Sequence, residues 1–132
     1  MPTLQPYIRE MRYAKNGMPV VFVIATDWKL RAAVRAELRE RGIDALGMDS
    51  ADDVGRVLAA DAMPAVMVLE ANAELAGSPA IQKLVARIPT VLVASRTETV
   101  PVPRVAAVFY RPVRIGEIVL KVSELLGRGE AA

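Results

Sequence analysis

The chain has 132 residues, of which 53% are hydrophobic and 24% charged, and its formal net charge is +2. This length suits one domain that buries roughly two-thirds of its unfolded surface, so no metal or disulfide is needed for folding. The chain contains no cysteine and no histidine, which excludes thiol chemistry, thiolate or imidazole metal ligation, and the commonest general base.

The small positive excess does not indicate a nucleic-acid-binding protein, because no strong basic block appears and the aromatic residues are few and scattered. The apolar runs are far shorter than the ~20 residues that cross a bilayer, so no membrane association is predicted. The N-terminus has no basic start followed by an apolar core, so no signal peptide is predicted either. We therefore expect a cytoplasmic protein.

Residues 1–18 are predicted to be an N-terminal extension that precedes a domain of residues 19–127. Leu4, Tyr7 and Met11 allow a short amphipathic turn in this extension. Two interpretations stay open, namely a loosely ordered arm and a helix docked on the domain or on a neighbour.

The first half of the domain alternates strand and helix. A β-branched apolar run predicts a buried strand over residues 20–25, after which Thr26 or Asp27 caps a helix that ends at Gly42. Residues 43–48 form a short second strand, and Ser50 caps the next helix with acidic residues in its first turn.

The central strand is predicted over residues 65–70, where five apolar residues in a row end in Glu70. Such an uninterrupted run is typical of a parallel strand buried on both faces. Ser78 and Pro79 then begin a third helix that Pro89 stops. In doubly wound sheets, chemistry takes place beyond the carboxyl ends of the strands, and that is where Glu70 would lie.

The second half of the domain completes the alternation. Strands are predicted over residues 90–94 and 105–110, and the last helix carries one apolar stripe that ends at Gly127. Residues 128–132 are expected to fray as a C-terminal tail. Strand–helix alternation of this kind predicts parallel strands joined by right-handed crossovers.

This layout resembles the receiver domain of bacterial response regulators over roughly residues 19–127. The resemblance rests on a first strand that runs into Asp27, on Glu70 as the carboxylate that ends strand three, and on Arg111-Pro112 after strand five. It implies an α/β, flavodoxin-like, doubly wound five-stranded parallel sheet in the order 2-1-3-4-5. The fourth helix of that fold is expected to be shortened or absent, because residues 95–104 are few and contain two prolines.

In the family, an aspartate that ends strand three accepts a phosphoryl group with the help of Mg²⁺, which two acids after strand one hold. Here the phosphoacceptor position holds Glu70, and the positions of the acidic pair hold Ala25 and Thr26. Asp27 follows one residue later and is interpreted as the helix cap rather than a metal ligand.

The residues that read the phosphoryl group in the family also differ here. The hydroxyl position after strand four holds Ala94, with Ser95 next to it, and the switch aromatic of strand five is replaced by Val108. The family's lysine is Arg111.

These losses predict a degenerate, pseudo-receiver site without metal or cofactor. Mg²⁺ needs near-octahedral oxygen ligation, usually with one or two carboxylates, and Ala25 supplies no ligand. Without the metal, the charge that develops during phosphoryl transfer lacks its main stabiliser. Glu70 is also one methylene longer than aspartate, which would misplace the attacking oxygen.

The sharper hypothesis for Glu70 is an ion pair with Arg111 that joins the ends of strands three and five, since arginine binds carboxylates bidentately. The alternative is a solvated glutamate at a strand end. Further loop arginines could bind an anion or be ordinary solvated side chains; they are Arg96, Arg104 and Arg114.

The functional expectation is a receiver-like signalling module, not an enzyme, that acts through protein–protein contacts. A homodimer through strand five and the last helix is one form of that contact. One alternative is a divergent response regulator phosphorylated at Asp27, Asp49 or Ser95. The other alternative is a flavodoxin-like binder of an anion or small ligand.

Overall fold

The computed structural model describes residues 20–97 and 104–131. The extension predicted for residues 1–18 lies outside the described residues. Among the residues that the structure does describe, no helix is long and apolar enough to cross a membrane.

Five parallel strands form one sheet in the order β2-β1-β3-β4-β5. This confirms the predicted flavodoxin-like fold. β3 is central and β2 and β5 are the edges. The strands are β1 (Val20–Ile24), β2 (Asp44–Met48), β3 (Val66–Glu70), β4 (Thr90–Ala94) and β5 (Ala107–Tyr110).

Helices cover both faces of the sheet and create two apolar layers. One layer joins α1 and α5 to the sheet through side chains such as Val34, Val68 and Ile118. The other layer joins α2, α3 and α4 to the opposite face through side chains such as Leu69 and Ile81. The helices are α1 (Trp28–Glu40), α2 (Ala51–Ala59), α3 (Ala73–Ala76), α4 (Pro79–Val85) and α5 (Ile115–Ala131).

Side-chain caps fix where the helices begin, and hence where the strands before them end. The predicted caps are confirmed, because Asp27, Ser50 and Ser78 each accept a hydrogen bond from a main-chain N–H in the first turn of their helices. Asn72 caps α3 in the same way. This one-turn helix was not predicted, because its four residues are too few to show a helical period.

Two helix ends differ from the predictions. α4 ends at Val85, several residues before Pro89, which was predicted to stop it. The residues that follow form a turn, and Ile88 is still buried. α5 continues through Gly127 to Ala131, so the glycine does not end the helix. The frayed tail of residues 128–132 stays a prediction. Gly127 faces open space on the exposed side, where a glycine costs only about 1 kcal/mol relative to alanine.

The fourth helix that was predicted to be shortened or absent would lie in the connection between β4 and β5. Residues 95–97 and 104–106 contain no helix, and residues 98–103 lie outside the described part of the chain. β5 begins at Ala107 rather than at Val105, and Val105 instead packs against the second apolar layer. The alternating burial of β5 leaves Val108 and Tyr110 exposed on one face of this edge strand.

Candidate functional site

The candidate site lies where the carboxyl ends of β1, β3 and β5 meet. Main-chain hydrogen bonds hold the residues that follow these strands: the Ala71 N–H donates to Val93 O, and the Arg111 N–H donates to Ala94 O. Because parallel strands end at the same edge of a sheet, side chains from distant parts of the chain are brought together there.

Glu70 is the centre of this site, and its side chain is only 12% exposed. Its Oε1 accepts hydrogen bonds from the Thr26 main-chain N–H at 2.9 Å and from the Thr26 hydroxyl at 2.6 Å. Its Oε2 accepts a hydrogen bond from Arg111 Nη2 at 2.9 Å. The predicted pairing of Glu70 with Arg111 is therefore confirmed, and both oxygens of the carboxylate have donors.

Arg111 links two acids rather than one. While Nη2 binds Glu70, Nη1 donates to Oδ2 of Asp27 at 3.1 Å. One guanidinium group thus connects the loop after β1, the end of β3 and the loop after β5. Arginine can do this because its planar fork presents several donors in fixed directions, whereas a lysine presents one point charge.

Asp27 has two structural roles, which use its two oxygens separately. Oδ1 accepts hydrogen bonds from the N–H groups of Lys29 at 3.0 Å and Leu30 at 3.2 Å, which makes it the cap of α1. Oδ2 binds Arg111. The Leu30 N–H, together with Arg111 and the Lys29 N–H, lowers the pKa of Asp27 against an opposing effect of desolvation.

Asn72 completes the network, and sequence reasoning did not identify it. Its Oδ1 caps α3, and its Nδ2 donates to the Thr26 hydroxyl at 3.2 Å. The hydroxyl of Thr26 therefore receives a hydrogen bond from Asn72 and gives one to Glu70. The available sequence signal was the position of Asn72, a strong N-cap residue two places after the central strand.

The other predicted site positions do not join this network. Ala25 and Ala94 are buried apolar residues of the layers beside the sheet. The Ser95 hydroxyl lies 2.8 Å from the Thr97 hydroxyl. Val108 lies on the exposed face of β5, 39% exposed.

A polar crevice of about 410 Å³ opens over the site. Thr26, Glu70, Asn72 and Arg111 line it. Within residues 20–97 and 104–131, no group of three or more acidic or histidine side chains is placed to hold a metal ion.

The donor set does not fit the Mg²⁺ that the receiver resemblance implies. Both oxygens of Glu70 already accept hydrogen bonds. Asp27 caps α1 with one oxygen and binds Arg111 with the other. Ala25 has no side-chain ligand atom. A guanidinium group also occupies the position beside both carboxylates, where its charge opposes the approach of a cation.

Two substitutions of Asp27 separate its two roles. Asp27→Asn keeps an oxygen for the cap of α1 and loses the ion pair, so we expect a loss of about 0.2–1 kcal/mol in the free energy of unfolding. Asp27→Ala loses both and should cost more, about 0.5–2 kcal/mol from the cap alone. Chemical denaturation at pH 7 measures both values, and equal losses would contradict the separation.

The pH dependence of the same pair provides a second readout. Because folding lowers the pKa of Asp27, the stability that its charge provides is present above the unfolded pKa and is lost as the pH falls through the folded pKa. The difference in stability between the wild type and Asp27→Asn should therefore be constant from about pH 5 to 7 and narrow below about pH 4. A difference that stays constant down to about pH 2 would contradict the assignment.

Several solved structures with a similar fold are described as receiver domains or response regulator receiver proteins. The chain is similar to a response regulator receiver protein from Burkholderia phymatum, with 23% identity and a TM-score of 0.68 over 83% of this chain and 95% of that one. A signal receiver domain of an HD domain-containing protein from Pseudomonas fluorescens Pf-5 matches with 10% identity and a TM-score of 0.72, covering 87% and 99%.

A response regulator receiver protein from Pseudoalteromonas atlantica matches with 21% identity and a TM-score of 0.65, covering 84% of this chain and 99% of that one. At these identities the likeness establishes the fold. No protein-family model matches the chain, and no curated protein matches it significantly.

Proposed function

We propose that this chain is a receiver-like signal-transduction module of a two-component-type system that is not phosphorylated at the end of β3. One observation carries the proposal: the carboxylate at the phosphoacceptor position, Glu70, accepts three hydrogen bonds from Thr26 and Arg111. A nucleophile whose lone pairs are engaged by a cation and two donors is poorly placed for attack on phosphorus. The module would instead hold one arrangement of its strand ends.

Such a module acts through protein contacts, and it is proposed to be a cytoplasmic protein without catalytic activity or cofactor. Exposed apolar side chains support a contact surface, since Val108 and Tyr110 lie on the same face of β5 and are 39% and 51% exposed. On α5, Leu120 is 54% exposed. Exposed apolar groups that lie together on a small domain often mark an interaction site. A second copy of the chain or a signalling partner would bind there.

Incubation with acetyl phosphate and Mg²⁺, or with beryllofluoride and Mg²⁺, is expected to leave the amide NMR spectrum unchanged. The physical reason is that the site lacks the carboxylates that would hold the metal next to the phosphoryl group. A receiver domain with a complete acidic pocket, treated in parallel, serves as the positive control. The spectrum of the Glu70→Asp variant should also stay the same when acetyl phosphate and Mg²⁺ are added, because Ala25 and Thr26 still provide no carboxylate.

The alternatives correspond to other outcomes of these experiments. Magnesium-dependent shifts around Asp27, Asp49 or Ser95 would instead favour a divergent, phosphorylatable response regulator. A hit in a thermal-shift screen of anions and nucleotides would instead favour a ligand that binds in the polar crevice. Such a hit is measurable, because a ligand at 100 times its Kd stabilises the folded protein by about 2.7 kcal/mol.

A further inference from the structure

The first helix, α1, carries a row of three arginines that the site described above does not use. Arg31, Arg35 and Arg39, here called the arginine row, occur at every fourth position. At 1.5 Å of rise per residue, successive members lie about 6 Å apart along one face of the helix. This face lies against β2, an edge strand of the sheet.

Main-chain oxygens, rather than carboxylates, hold the arginine row in place. Arg31 Nη1 donates to Ala25 O at 2.7 Å, and both Arg35 Nε and Arg39 Nη2 donate to Ala45 O at 3.4 Å. Among the described residues, none of these three guanidinium groups has a carboxylate oxygen within 4.0 Å. Each guanidinium has five N–H donors, so most donors of the row have no acceptor within residues 20–97 and 104–131.

The edge strand is adapted to the stems of these arginines at Gly47. A Cβ atom at this position would lie 2.8 Å from Arg35 Cδ and 3.1 Å from Arg31 Cγ. The glycine therefore lets the side chains lie flat across β2. Burial lowers the pKa of Arg35, and the charges of Arg39 and Arg31 lower it further against the opposing effect of Asp44. The guanidinium nevertheless stays protonated at neutral pH.

We propose that the arginine row is a docking surface for an acidic segment of a partner protein, bound in extended conformation. Arg35 and Arg39 converge on Ala45 O, whereas Arg31 binds Ala25 O, which the strand register places four residues, or about 13 Å, farther along the strand direction. An extended segment with carboxylates at every second position could meet the converging pair with one carboxylate and Arg31 with another four residues on. Arginine binds carboxylates bidentately, so this pairing specifies geometry as well as charge.

The surroundings of the row favour a peptide over a nucleic acid. Asp44 on β2 lies near enough to Arg35 for its charge to act on that guanidinium group, and a continuous polyanion would meet this acid as well. A peptide with separated carboxylates avoids it. Because Ala45 O is already occupied by guanidinium donors, the segment would bind through its side chains at this point rather than extend the sheet.

The test measures binding of a fluorescent peptide with glutamate at every second position and threonine between, added to the full chain at low salt. Arg35→Gln/Arg39→Gln is expected to weaken binding by about tenfold or more. The matched control is Lys83→Gln/Arg87→Gln, which removes two charges four residues apart at exposed positions elsewhere. Its affinity should stay within about twofold of the wild type, apart from the small effect of net charge.

Gly47→Ala distinguishes binding that depends on the ordered position of the arginines from binding that depends only on their positive charge. The substitution keeps every arginine but displaces the aliphatic parts of Arg31 and Arg35. It should weaken binding several-fold while thermal melting confirms that the variant folds. If the double variant fails to fold, the exposed Arg39→Gln alone replaces it.

Several results would overturn the proposal. These are the absence of peptide binding, an equal loss in the Lys83/Arg87 control, an unchanged affinity in Gly47→Ala, and tighter binding of a single-stranded oligonucleotide of equal charge. Self-association of the wild type that the double variant abolishes would make a second copy the occupant and would overturn it too.

Discussion

Replacing Arg111 with alanine is expected to lower the free energy of unfolding by about 1–3 kcal/mol. The substitution leaves the Glu70 carboxylate, 12% exposed, without its cationic partner, and it also removes the second contact to Asp27. The cost arises mainly from the charge that remains behind rather than from the lost attraction. Urea denaturation at pH 7 measures it.

A double-mutant cycle assigns this loss to the pair. Glu70→Gln keeps an acceptor for Thr26 and removes the charge that Arg111 neutralises, so Arg111→Ala should cost less in that background. Arg87→Ala is the control, because Arg87 is an exposed arginine without a carboxylate partner among the described residues. Strictly additive losses in the cycle would contradict the proposed coupling of Glu70 with Arg111.

Leu69→Ala is expected to destabilise the protein by about 2–5 kcal/mol, the largest effect of a single substitution considered. Leu69 is fully buried in the central strand, directly before Glu70, and packs in the layer that α2, α3 and α4 cover. Truncation removes transfer free energy and leaves a cavity that the close-packed neighbours fill only in part. Thermal or chemical unfolding measures the loss.

The chain offers a matched control for this change. Leu120 on α5 is 54% exposed, so Leu120→Ala removes the same atoms without opening a cavity and should change the stability by about 0.5 kcal/mol or less. Similar losses in the two variants would mean that the layer beneath the central strand is not close-packed.

Together these experiments separate the scaffold from the site. The apolar layers place the strand ends, and the ion pairs then determine which of their side chains meet. A variant at Leu69 should therefore affect the whole domain, whereas a variant at Arg111 should affect mainly the loops that its guanidinium joins. Hydrogen exchange would report that difference as global or local loss of protection.

The amino-acid sequence by itself determined the order of the elements and most of their starts. Apolar runs such as residues 20–24 and 66–69 have no polar face, which requires burial on both sides. Caps such as Ser50 and Ser78 act within a few residues of their helices, so they can be read locally. The departures at Ala25, Thr26 and Glu70 were equally visible, since they depend only on which residue stands at a strand end.

Only the tertiary structure decided how the site is connected. The contact of Glu70 with Thr26 spans 44 positions, and that of Arg111 with Asp27 spans 84. No local pattern encodes such distances, and Asn72 joins the network only because its strand ends beside Thr26. Side chains of opposite charge at strand ends pair when the sheet brings the ends together, and the sheet forms only as the whole core packs.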